Sequence, residues 1–304
     1  MVERLSFHDE IAKNKLKSVV LMLIVVFFII LLGYLISFAF HSSYFFVIMI
    51  FAIIFSVVYT IFGYYNSANL ALASVKAKKA SSIEYRVLHD VVESMALASG
   101  LPKPGVYIME GDQINAFASG RDPKHAVICV TTGTTEKLDK RELEGVIAHE
   151  MAHIANFDIR FMTLTAVLVG MVAIIAEIFL RSLWFSSFSG GNNKKDARLQ
   201  IFIFALAIIV AILAPLISQL ISLAISRRRE YTADATGVKF VRSPTGLKNA
   251  LVKIKGEHVS REERKRYSKE IAPLFISDPF KRGISGLFAT HPPIDERIRR
   301  LDRM

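Results

Sequence analysis

Apolar residues in this chain gather into four runs. Val19–Phe40, Tyr44–Tyr65 and Ile201–Ile225 carry no charged side chain, and Phe161–Leu180 carries only Glu177. A helix that is apolar all round has no solvated face, and each run is long enough to cross a hydrocarbon core that needs about 20 helical residues. Only "HSS" separates the first two, which predicts a membrane hairpin. A cleaved signal fits poorly, because its apolar part spans about 7–15 residues and its approach is basic; here the run is longer and Glu3, Asp9 and Glu10 mix with the bases. Glu177 is a functional flag as an intramembrane carboxylate, but it stands near the end of its run, four residues before Arg181, where pairing or snorkelling accommodates it.

The segments between the runs are amphipathic. Val87, Val91, Met95 and Leu97 recur at helical spacing over Ser82–Ser99, and Gly100 supplies the stop. After "LPKPG", the stretches "VYIME", "INAFAS" and "HAVICVTTG" read as short strands. Leu138–Asp158 reads as a long helix capped by Asp139 or a neighbour. Further on, helices are predicted over Glu230–Val241, Pro244–Lys255 and Pro293–Arg303, the last with Asp295/Arg299 and Glu296/Arg300 at the favourable i,i+4 spacing. The fold class is therefore a mainly α membrane protein with four hydrophobic segments and an α+β domain holding a small sheet. Its parts are 1–65 (N-terminal segment and hairpin), 66–160 (first piece of the α+β domain), 161–225 (second hydrophobic pair) and 226–304 (second piece).

Charge sets the orientation. Arg4, Lys13, Lys15 and Lys17 precede the first run, Lys76, Lys78 and Lys79 follow the second, and Arg227–Arg229 follow the fourth. Bases beside spans stay on the cytoplasmic side, so both pieces of the α+β domain are expected in the cytoplasm. The loop between the third and fourth runs carries Arg181, Lys194, Lys195 and Arg198; either it is translocated despite its charge or that pair does not cross fully. The net charge of +11 is accounted for by contact with anionic lipid, with no nucleic-acid motif beside it. A single cysteine, Cys129, excludes an intramolecular disulfide framework and a cysteine-rich metal cluster; in "AVICV" it reads as a core residue.

The chemistry lies in "GVIAHEMAHIANFDIR". At about 100° per residue, His149 and His153 stand roughly 40° apart on one helix face, and Glu150 about 60° from His153. Two imidazoles so placed can bind one ion, with a carboxylate near its open position to serve as general base, which is the physical content of H-E-x-x-H. Asn156 falls about 20° from His149, whereas Asp158 lies on the far side unless the helix ends first. A third ligand is needed. "RRREYTADATG" offers Glu230, with Asp234 one turn on to steady a ligating histidine; the alternative is that Glu230 only pairs with the arginines beside it. His8, His41, His89, His125 and His258 have no partner at ligand spacing.

"AHEMAH" after two spans, "RRREYTADATG" after a second apolar pair and "THPPIDERIRRL" near the C-terminus resemble the HtpX-type integral membrane zinc metallopeptidases. The prenyl-protein endopeptidases with a similar site are larger, with more spans. The resemblance implies one Zn²⁺ per chain held by His149, His153 and Glu230, with Glu150 as general base and acid. It implies an active site facing the cytoplasm from a multi-pass cytoplasmic membrane protein, acting on misfolded or unassembled membrane proteins in quality control, often under stress. "INAFAS" matches the family's Asn-Ala-Phe segment: either an edge strand on which Asn115 fixes an extended substrate, or an ordinary strand of the sheet. His291 reads either as a donor to the oxyanion or as a packing residue held by Pro292 and Pro293, and Arg297 is a second candidate donor. The competing classes are an inactive membrane-anchored zinc scaffold, which would not need Glu150, and a transporter, whose site should lie among the spans.

Overall fold

A computed structural model describes residues 7–37, 42–168, 227–257, 274–277 and 292–304. The first two apolar runs lie in helices α1 (Phe7–Ser37) and α2 (Phe45–Ser74). At 1.5 Å per residue each is about 45 Å long, so both extend well beyond a core about 30 Å thick. Their surfaces are reversed relative to a water-soluble helix. Phe46, Val47, Ile50, Phe51, Ile54, Val58 and Ile61 of α2 point outward, while Ala52, Ser56, Thr60, Gly63 and Ser67 are buried. Small and hydroxylated residues inside, with large apolar ones outside, is how helices associate in lipid, where close backbone approach takes over from the hydrophobic effect. Gly33 permits that approach, since a Cβ there would collide with Ala52. The third run is described only to residue 168, helical from 158; Glu177 and the fourth run lie outside the described residues.

Beyond the hairpin, a four-stranded sheet has the order β1 (Lys78–Lys79), β2 (Gly105–Met109), β4 (Ala126–Thr131), β3 (Ala116–Gly120). β2 and β4 run parallel; the outer pairs are antiparallel. One face packs on α3 (Arg86–Ser99) and α5 (Lys140–Ala155) through Val91, Val92, Ile128, Val130, Val146 and Ile147. The other face, with Phe117 and Cys129, rests on Ala71 and Leu72 at the end of α2 and on Leu274 and Phe275. The sheet is thus wedged between the domain's central helix and the foot of the α1–α2 hairpin. α3 ends where expected: Gly100 takes a left-handed φ of 71° and its N–H closes the last turn. β1 and the short helix α4 (Thr132–Lys137) escape the sequence pattern; the Thr131 side chain caps α4, so β4 ends at Thr131, two residues before the end of the predicted "HAVICVTTG".

α5 is the centre of the domain, buried along nearly its whole length. Its start is fixed by a capping box: Asp139 accepts from the Glu142 N–H at 2.9 Å and Glu142 from the Asp139 N–H at 2.8 Å. Two later helices, α6 (Arg227–Val241) and α7 (Thr245–Gly256), lie directly on it. Both approach through glycine. A Cβ on Gly237 of α6 would sit 3.1 Å from the backbone of Ala148 and His149, and one on Gly145 of α5 would strike the Leu247 backbone. Helix α8 (Ile294–Leu301) closes the layer.

Gly145→Ala should therefore push α7 off α5 and cost about 2–3 kcal/mol of stability. Gly256→Ala, where a Cβ meets nothing, should be neutral or mildly stabilising. Thermal unfolding of the detergent-solubilised chain checks the contrast, and equal midpoints would contradict it.

Candidate metal centre and active site

The helical spacing of His149 and His153 puts both rings on the same side of α5, with centroids 4.7 Å apart. Their Nε2 atoms are 3.2 Å apart. α6 carries Glu230 to the same point, with Oε2 3.7 Å from His149 Nε2 and Oε1 3.6 Å from His153 Nε2. These distances suit a tetrahedral ion, whose bonds of about 2.0–2.1 Å place ligand atoms roughly 3.3 Å apart. Among the described residues this trio is the cluster able to hold a metal ion, and all three side chains are buried.

Each ring is aimed by its other nitrogen. His149 Nδ1 faces Asp234 Oδ1 at 2.9 Å and His153 Nδ1 faces Asp158 Oδ2 at 3.1 Å. An ionised carboxylate only accepts, so both rings carry their proton on Nδ1 and turn both Nε2 lone pairs to one point. With both rings neutral, two lone pairs facing each other at that distance call for a proton or a metal cation between them. Asp234 stands as the sequence predicts, one turn from Glu230. Arg297 of α8, almost fully buried, grips Asp234 with two hydrogen bonds, Nε to Oδ2 at 2.9 Å and Nη2 to Oδ1 at 2.7 Å. Arg297 is therefore a clamp on the support of His149, and its guanidinium also lies 3.4 Å from His149 Nε2 and 3.5 Å from Glu230 Oε2.

Glu150 is the third residue of the motif. Both of its carboxylate oxygens are buried and without a hydrogen-bond partner. The Ala118 backbone N–H exerts a pull toward ionisation, but it is outside hydrogen-bonding geometry. Burial pushes the Glu150 carboxyl up to about 7, and the charge of Glu230 adds to this against His153 and Arg297. A buried carboxylate without donors is costly, and an adjacent cation with its water would satisfy it. For His149, burial and then Arg297 hold the ring below its ordinary value, so it stays neutral. At His153 burial also opposes charge, but the Asp158 hydrogen bond and Glu230 outweigh it and bring the ring to about 9. In the metal-free chain His153 therefore holds a proton that a metal must displace.

Two sequence expectations change here. Asn156 was placed nearer the metal than Asp158, but α5 stops at Ala155 and Phe157 adopts a positive φ of 57°. The reversal brings Asp158 back beneath His153, while the Asn156 Oδ1 is buried without a hydrogen-bond partner. The edge of β3 at Asn115 is closed. Asn115 Nδ2 donates to Ser277 O at 2.9 Å, and the Ile276 N–H donates to Ala116 O at 2.9 Å. Docking of Leu274, Phe275 and Ile276 into the two cores explains the closure, which is a long-range pairing invisible to local pattern. The Gly120 N–H is met by Thr163, so on this stretch of edge it is Ala118 that faces the Glu150 carboxylate. His291 lies outside the described residues. Sequence reasoning missed Asn14 of α1, whose side chain reaches Asp158; its only signal was an amide on the approach to an apolar span.

The chain is similar to known proteins over most of its length. A family model described as peptidase family M48 matches residues 82–304. A "Protease HtpX homolog" of Thermoanaerobacter pseudethanolicus is 50% identical over 248 residues, 82% of each chain. That of Dictyoglomus thermophilum is 38% identical over 299 residues, covering 98% of this chain and 95% of its own. That of Listeria monocytogenes serotype 4a is 39% identical over 305 residues, covering 97% and 99%. The crystal structure of S. mikatae Ste24p aligns over 96% of this chain and 65% of its own, with a TM-score of 0.48 and 18% identity.

Because Glu150 is raised from 4.5 to about 7, the folded, metal-free chain holds this proton more tightly than the unfolded one. That stabilisation is complete below about pH 4.5 and is lost as pH rises through about 7, amounting to something on the order of 3 kcal/mol. Chelator-treated wild type should accordingly lose stability between pH 5 and pH 8 relative to Glu150→Gln. Melting curves across that range read the difference, and a pH-independent gap would contradict the assignment.

Proposed function

Since the chain belongs to peptidase family M48 and is a membrane-associated metalloprotease, we propose that it is a zinc endopeptidase cleaving misfolded or unassembled membrane proteins at the cytoplasmic face of the membrane. One Zn²⁺ would be held by His149, His153 and Glu230. The observation that carries this reading is the convergence of two imidazole Nε2 atoms and a carboxylate on one buried point beside an unpartnered Glu150. When bound, zinc supplies Lewis-acid activation of water and of a peptide carbonyl. Glu150, near pH 7 in its affinity for protons, accepts the proton of the attacking water and delivers it to the leaving amine. Asp234, gripped by Arg297, and Asp158 keep the two imidazoles in the tautomer that faces the ion. The Ala118 N–H on the rim of β3 is available to an extended substrate backbone, a limited form of strand addition.

The setting favours substrates that emerge from the bilayer. Lys15 lies over the Phe157 ring at 4.7 Å, Arg160 over Tyr64 at 5.6 Å, Arg121 over Tyr65 at 5.0 Å and Arg229 over Phe161 at 5.2 Å. Bases and aromatic rings in one band are the signature of the head-group level, and Phe157 is four residues from His153. The basic residues at the ends of α1, α2 and the fourth apolar run support a cytoplasmic active site, and the third and fourth runs support a second crossing pair. The catalytic body would then comprise 66–160 and 226–304, joined through 161–225.

Glu150→Gln should retain stoichiometric zinc and lose cleavage of an unfolded protein by about 10²–10⁴-fold; cleavage at the wild-type rate would reject the mechanism. His149→Ala/His153→Ala should lose zinc altogether, and retained metal would reject the ligand set. Inverted membrane vesicles should cleave added casein while right-side-out vesicles do not; the opposite result would reverse the orientation.

A further inference from the structure

The family match begins at residue 82, and α1 lies wholly before it, yet α1 reaches the metal centre. Its inward stripe is Asn14, Ser18, Leu21 and Val25, all buried, with Lys15, Leu16 and Lys17 exposed between them. Asn14 is the amide in that stripe. Its Nδ2 donates to Asp158 Oδ1 at 2.8 Å and to the Asn156 carbonyl at 3.2 Å. The other oxygen of the same carboxylate, Oδ2, receives His153 Nδ1 at 3.1 Å. A continuous buried chain therefore runs from the first apolar helix through one carboxylate to one imidazole.

The chemistry at each link is directional. Asp158 lies in a dry interior, where a carboxylate oxygen without a donor is strongly disfavoured. Asn14 provides the donor that occupies Oδ1 and leaves Oδ2 aimed at the imidazole. The second proton of the same amide fixes the Asn156 carbonyl, at the left-handed reversal that brings Asp158 under the ring. Both bonds bear on the aim of His153. Partners of this kind, one step behind a metal ligand, change metal affinity when lost.

We propose that Asn14 is a positioning residue of the metal centre, acting through Asp158 on His153, so that α1 forms a wall of the catalytic site as well as an anchor. Where α1 is seated in the bilayer then bears directly on how well the site holds its ion. The inference rests on the zinc reading above, and its test separates the two.

Full-length chain is purified in detergent, and two properties are measured for each variant. One is zinc affinity by competition with a chromophoric chelator; the other is the visible spectrum of the Co²⁺-loaded protein, which reports ligand geometry. Asn14→Leu and Asn14→Asp should each weaken zinc by about 10–100-fold and shift the cobalt bands. Asp158→Asn should do the same, and adding Asn14→Leu to it should change little further, since both act through one link. Combining Asn14→Asp with Asp158→Asn restores a donor–acceptor pair in reversed order and should recover part of the affinity lost in Asn14→Asp alone. Leu21→Ala, in the same stripe without a polar contact, should lower the melting temperature and leave zinc affinity unchanged.

Zinc affinity within twofold of wild type and an unchanged cobalt spectrum in Asn14→Asp would overturn the proposal. So would an equal loss of affinity in Leu21→Ala, because packing of α1 alone would then account for the effect. If Asn14→Leu fails to fold, Asn14→Asp and the reversed pair decide by the same criteria. A wild-type chain that binds no zinc defeats the metal reading itself, a result separate from either outcome.

Discussion

Two imidazole nitrogens held 3.2 Å apart in a buried interior are the constraint on which the rest of the molecule turns. Their lone pairs repel unless something positive lies between them, and their protonated sides are committed to Asp234 and Asp158. Around them stand two further buried carboxylates, Glu150 and Glu230, balanced within the described residues by Arg297. A cluster so rich in negative charge is unfavourable in a low dielectric. With a divalent cation at its centre the balance is close to neutral. The surrounding elements, from the α5 capping box to the glycine contacts of α6 and α7, keep this arrangement in register.

Much of this could be read from the residue pattern because it depends on short-range geometry. H-E-x-x-H fixes its own angular spacing once α5 is a helix, and Asp139 is a cap candidate where that helix starts. Gly100 ends α3 by a backbone conformation that glycine adopts without strain. The first two apolar runs needed only length and the absence of charge. Glu230 and Asp234 were legible for the same reason, one helical turn on one face.

What escaped depends on the path of the chain after an element ends. Helical extrapolation carries Asp158 away from the rings unless α5 ends first; the positive φ at Phe157, where no glycine marks the turn, reverses that geometry. The outer edge of β3 looked open because residues 274–277 lie far away in sequence, and their docking follows from apolar burial on both faces of the sheet. Asn14 belongs to a stretch whose composition speaks only of membrane, and its polar contact spans 144 positions. In each case the deciding partner is distant in sequence, while the residue itself is unremarkable in its local window.

The approach of α6 to α5 through Gly237 has a consequence for how the site is loaded. With backbone against backbone at this crossing, no side chain between the two helices sets their separation at the site. Little conformational entropy then remains to be lost when an ion arrives. The resistance to loading falls instead on the proton of His153. Occupancy of such a centre answers to acidity more than to any folding of the chain around its metal.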